Sequence, residues 1–195
     1  MKYFGLSLFL LFIGITNSFS QDMEIKPGTV LNYLVSPNNA EEYNFIVIVK
    51  KFGVSGIDFD WKMTTTNPQK GKVSISANAF ESSHKYINYF KNGSILKLNE
   101  ESAIWMSKDD YASLAKTKVL NIDMGNGVIS FSQGDPEAEF EIELKGKTVT
   151  MDTVEVEDKS GDLKLSLLND YNDHNNRLIM SMKLKDFKIR LISVN

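Results

Sequence analysis

Cysteine is absent from all 195 residues. That excludes thiol nucleophiles, cysteine-ligated zinc and iron–sulfur clusters, and it removes the residue that carries the lipid of a bacterial lipoprotein. Histidine is nearly absent too: His84 and His174 are the only two. No HExxH helix, GxSxG elbow, P-loop or GxGxxG fingerprint occurs, so the common signatures of metalloprotease, serine hydrolase and nucleotide chemistry are missing. The GNG at Gly125 to Gly127 is too short to cradle a phosphate and reads as a hairpin turn. There is no basic excess either. The formal charge is −3, which offers nothing to nucleic acid or to an anionic membrane. No cofactor is expected.

Long apolar runs are also scarce, and the one present lies at the start. In MKYFGLSLFLLFIGITNSFS, Lys2 precedes an apolar stretch from Phe4 to Ile15, and Ser18 and Ser20 stand three and one positions before Gln21. This is the layout of a secretory signal peptide over residues 1–20. The stretch is shorter than the ~20 residues of a bilayer crossing. The expectation is an exported chain, periplasmic or extracellular, with no membrane anchor after cleavage. Residues 21–195 then form one β-rich domain. With Lys2 gone, 21 basic and 25 acidic residues leave it at −4.

What the domain does contain is alternation. TVLNYLV, EYNFIVIVKKF, GIDFDWKMT and KVSISA follow one another between turn clusters. The middle of the second is apolar at both phases, which predicts a strand covered on both faces. The third points Ile57, Phe59, Trp61 and Met63 inward. The period then changes. Phe80, Tyr86, Ile87 and Phe90 recur at helical spacing, with Ser76 as N-cap and Asn92-Gly93 as a stop, predicting the main helix over 77–90. Ser107 and Asp110 resemble a capping box opening a short second helix over 108–116.

Hairpins fill the rest. AEFEIEL and KTVTM match Ile142 with Val149 and Phe140 with Met151; VEVE and DLKLSLL match Val156 with Leu163 and Val154 with Leu165. The inward phase flips near Thr153, which predicts a bulge or bend there. RLIMSMKL and FKIRLISV match Met182 with Ile189 and Met180 with Leu191. The predicted fold is α+β, mainly β: a strongly curved antiparallel sheet, half-barrel or barrel-like, with the main helix packed against it.

Four features invite a functional reading. Glu137, Glu139, Glu141 and Glu143 project from one strand face at about 6.5–7 Å spacing, within the range of paired glycosidase carboxylates. Their environments look alike, however, which favours a solvated outer face. Lys183, Lys185, Lys188 and Arg190 give the last hairpin a basic exterior. In NDYNDHNN, Asp170, Asp173 and His174 are weak metal candidates. The stretch fails the EF-hand pattern at its fifth, sixth and twelfth positions, so a hairpin loop is the expected reading and no metal is assigned. Phe59, Trp61, Met63, Trp105, Met180 and Met182 lie on or beside the inward phase. They are core if the sheet is filled, and the wall of an apolar cavity if it stays open.

The motifs PGTVLNYLV…FDWKMT, IWMSKDDY and LIMSMKLKDFKIRLISV resemble a group of exported bacterial domains of unknown function, built as curved antiparallel sheets in Gram-negative envelopes. The likeness runs from about Pro27 to Val194 and rests on strand patterns. In general form such domains are similar to periplasmic lipoprotein carriers, which hold acyl chains between a half-barrel and a helical lid; this analogy carries over no residue. The expectation is a non-catalytic binding module for an apolar ligand or protein segment. The alternative is an envelope assembly component acting through exposed strands or charged faces, and a hydrolase comes third.

Overall fold

Strict alternation builds the first sheet. The computed structural model describes residues 23–135, 138–169 and 176–195. In it, β1 (Val30–Pro37) buries Leu31, Tyr33 and Val35, while β2 (Tyr43–Lys51) buries Phe45, Val47 and Val49. β3 (Gly56–Met63) buries Ile57, Phe59 and Trp61, and β4 (Gln69–Ser76) adds Val73 and Ile75. Each strand pairs antiparallel with the one before it. The outer phase of β2, Ile46 and Ile48, is only half-buried, so this strand is not fully covered on both faces.

The main helix is much shorter than its spacing predicts. α1 spans Ala77–Ser82, capped by Ser76, whose Oγ accepts from the Ala79 amide at 3.1 Å. It stops because Ser83 has better local partners. The Ser83 hydroxyl lies 2.8 Å from the Lys85 carbonyl and 2.9 Å from the Glu100 carbonyl, and it accepts from the Lys85 amide. Such serine bonds compete with the helical ladder. The chain leaves as β5 (Lys85–Tyr86). Tyr86 and Phe90, expected on one helix face, enter different cores. Gly93, with φ 72°, makes a turn rather than a helix stop.

β6 (Ile95–Leu98) lies parallel to β4, and β7 (Glu101–Ser102) parallel to β5. α2 (Lys108–Thr117) matches the predicted second helix. Ser107 caps it, and Lys118 ends it in the left-handed conformation. β8 (Val119–Asp123) and β9 (Val128–Gln133) form the expected hairpin, whose turn is held by the Asp123 carboxylate on the amides of Gly125 and Gly127.

The last five strands are β10 (Ala138–Leu144), β11 (Lys147–Asp158), β12 (Lys164–Leu168), β13 (Ile179–Lys183) and β14 (Phe187–Val194). Four antiparallel ladders join them in order. A short parallel pairing, Glu143 with Ser193 and Leu144 with Val194, returns β10 to β14 and closes a barrel. β1 adds to the far side of β14 and β9 to the end of β11, so the remaining strands extend the barrel into one sheet.

The β10/β11 register is as predicted. The next hairpin is shifted by two: Val156 faces Leu165 and Val154 faces Leu167. Asp158 causes the shift, because its carboxylate accepts from the Ser160 hydroxyl and the Leu163 amide and so reserves Leu163 for the turn. The phase flip at Thr153 is present without any break in the register of β11. It marks a change of core. Met151 faces the large core of β1–β4 and the barrel; Val156, on the opposite strand face, belongs to a second core under α2. The extra residue falls instead on β13, where Ile179 and Ser181 oppose neighbouring positions of β12. That bulge sends Met180 to the first core and Met182 to the second.

Of the predicted basic exterior, Lys183 and Lys188 are exposed, whereas Arg190 folds back over the Phe140 ring at 4.5 Å and donates to the Glu141 carbonyl. Glu139, Glu141 and Glu143 are exposed on β10, and Glu137 lies outside the described residues. So does the predicted leader, 1–20. No described helix is long and apolar enough to cross a membrane.

Candidate functional site

The two cores meet along a seam, and the seam is not filled. The inward residues of β1 and β2 approach β13 and β14 there, with Ile189 packed against both cores. A pocket of about 240 Å³ remains. Its wall is apolar: Val35, Phe45, Met63, Phe90, Met182 and Ile189 among others, with Asn88 and Asp186 exposed at the mouth. Tyr33 pins one side to the other by donating to the Ile179 carbonyl at 3.0 Å. Burial pushes the Tyr33 phenol up, and the half-buried Tyr43 phenol moves the same way, so both stay neutral. The pocket can bind and orient an apolar group.

One wall residue is strained. Ile104 has φ 67°, a conformation that a β-branched side chain strongly disfavours. The Trp105 amide donates to the Ala103 carbonyl at 2.7 Å across it, closing a γ-turn of the rare, high-energy hand. Neighbours hold this turn in place. The Ile179 amide donates to the Ile104 carbonyl, Trp105 bridges to Leu178, and the Met106 amide donates to the Arg177 carbonyl. The Arg177 side chain returns a bond to the Met106 carbonyl and stacks on Phe80 at 4.3 Å. Strain that is over-determined in this way tends to sit where a structure is shaped for a task.

Of the six residues predicted for a cavity, Met63 and Met182 line this pocket. Phe59, Trp61, Trp105 and Met180 are fully buried; Phe59 and Trp105 pack on each other, and the three aromatic rings pack on Phe45, Phe52 and Phe90, at centroid distances of 5.5–6.4 Å. They are packed core rather than cavity wall. Asp170, Asp173 and His174 lie outside the described residues. Among those described, no group of three His, Asp or Glu side chains is placed to hold a metal.

Sequence reasoning missed a polar unit at α2. His84 is not in a helix. It follows α1 with its side chain 65% exposed, and its Nδ1 sits 2.5 Å from Oδ1 of Asp110, whose side chain is 4% exposed. Tyr86 donates to the other carboxylate oxygen at 2.9 Å, and the Ser107 amide donates to the Tyr86 hydroxyl. The predicted capping box is therefore half made. Ser107 accepts from the Asp110 amide, but the return bond goes to Tyr86 and frees the carboxylate for His84. Burial raises the Asp110 pKa above the usual aspartate range, against the lowering by its bonds to His84 and Tyr86. Between the usual value and the raised one, the folded chain holds more protons than the unfolded chain, so this group's contribution to stability falls as pH rises through that window. Asp110→Asn removes the slope. Urea melts at closely spaced pH values should show the variant gaining on the parent across the window. A constant difference would mean that burial does not control this carboxylate.

Compared with protein-family models, with curated proteins and with solved structures, the chain finds no match in any of the three.

Proposed function

We propose that this protein is an exported, non-catalytic binding module of a bacterial envelope, and that it holds a small apolar group of its ligand at the seam of its two cores. The export-like leader and the envelope-type strand motifs support the location. The observation that carries the binding reading is the apolar pocket with the strained Ile104 in its wall. At about 240 Å³ it exceeds the roughly 150 Å³ cavity that accepts benzene. It falls short of the about 300–1,000 Å³ typical of whole drug-sized ligands. One ring or a short alkyl branch fits inside, and the rest of the ligand passes Asn88 and Asp186 at the mouth.

The test uses a neutral apolar probe, N-phenylnaphthylamine. Its fluorescence should rise on binding to the native chain. Ile189→Trp places an indole in the half-buried wall and should abolish the rise while circular dichroism and melting temperature are retained. A folded Ile189→Trp variant that binds the probe as well as the parent would sink this reading. Native mass spectrometry of protein taken from its own envelope would then identify the natural occupant.

A further inference from the structure

The solvent face of the first sheet carries a second, differently built feature. β3 and β4 place Lys62 directly opposite Lys70, and Asp60 opposite Lys72. Like charges at directly opposed positions are destabilising. Asp60 does not relieve them, because it pairs with Lys50 at 3.5 Å. Among the described residues, Lys62, Lys70 and Lys72 have no carboxylate within ion-pair distance. Three uncompensated cations thus cluster on a chain whose overall charge is negative. Lysines also protect sheet edges, but Lys62 and Lys70 lie on interior strands of this sheet, with β6 outside them.

The loop 91–95 rises beside these lysines. The Lys70 amide donates to Asn92 Oδ1, the Gly93 amide to the Lys70 carbonyl and the Lys72 amide to the Ser94 carbonyl, at 3.0, 2.7 and 2.9 Å. The strap leaves a groove of about 490 Å³ whose apolar surface comes from Ile48 and Ile95, the latter 69% exposed. Gly71 lets the strap and the buried indole pack close behind the groove, since a Cβ there would fall 2.7 Å from Trp61 Nε1 and 2.8 Å from the Ser94 carbonyl. Another opposed lysine pair, Lys183 with Lys188, sits in the last hairpin and lines neither this groove nor the seam pocket.

We propose that this groove is a second binding site, for an amphiphilic organic monoanion: one carboxylate head on an apolar body. The head relieves the Lys62–Lys70 repulsion, and the body lies along the Lys72 stem and Ile95. Charge selects the anion. The apolar floor selects against a bare inorganic ion, and three lysines on an acidic chain are too few for a polyanion.

Isothermal titration at low salt with octanoate, octanol, octyltrimethylammonium and inorganic phosphate tests it. Octanoate should bind at least about ten-fold more tightly than the other three and weaken with added salt. Lys70→Glu should abolish octanoate binding while the melting temperature stays level or rises, because it turns a repelling pair into an attracting one. A purely structural lysine would not separate those two readouts. Equal binding of octyltrimethylammonium, or retained octanoate binding in Lys70→Glu, would overturn the proposal. So would octanoate binding lost in Ile189→Trp but kept in Lys70→Glu, which would move the anion to the seam pocket and leave the proposed function standing.

Discussion

Trp105→Ala is expected to cost about 3–5 kcal/mol, the range for deleting a large aromatic from a packed core. Trp105 is fully buried between Phe52 and Phe59, at 5.9 and 5.8 Å, and bridges through its backbone to Leu178. It therefore joins the loop after β7 to the barrel as well as filling space. Truncation leaves a cavity where both ring contacts end and loosens the anchor that holds Ile104 at positive φ. Trp105→Phe should cost clearly less. The indole Nε1 has no hydrogen-bond partner among the described residues, so phenylalanine keeps much of the apolar contact and removes a buried, unsatisfied donor. Urea denaturation of the two variants checks the order. Equal losses would show that the indole N–H has an importance the packing does not reveal.

Gly56→Ala should be nearly as damaging although it adds a single methyl. Gly56 opens β3 with φ 106°, where an L side chain is strained at a cost of about 1–3 kcal/mol. The added Cβ would also fall 2.3 Å from the Ile75 carbonyl oxygen, a backbone atom of the paired strand that cannot swing away. Forced displacement in a packed region costs about 1–3 kcal/mol more. The combined loss, near 4 kcal/mol, should lower the denaturation midpoint with little change in slope. A loss below about 1 kcal/mol, within the range of ordinary surface substitutions, would contradict the close approach of these two strands.

The sequence pattern was most legible where structure is local. Strands β1 to β4, the β8/β9 and β10/β11 hairpins and α2 follow from alternation, tight turns and a serine cap, each decided within about a dozen residues. Failures came where a side chain chose a partner that periodicity does not encode. Ser83 ends α1 by bonding to Glu100, and Asp158 displaces a register by holding its own turn. The barrel closes through two residues of β10 and two of β14, about fifty positions apart, with no signature in either strand. The same limit governs the site. Inward phase identified Met63 and Met182 together with four residues that fill the core, because alternation tells which face a residue occupies and not whether that face is full. Ile104 gave no signal, since nothing in its neighbours' types announces a positive φ. His84 and Asp110 meet only after α1 has stopped early.

β11 carries Met151 to one core and Val156 to the other, on opposite faces of an unbroken ladder. A slip of one residue in an ordinary two-faced strand exposes one apolar set and buries one polar set. Here the same slip would withdraw Met151 from the first core and Val156 from the second at once, while turning Asp152 and Glu155 inward. The strand thus proofreads its own alignment twice, and its twelve residues set the relative placement of both halves of the molecule.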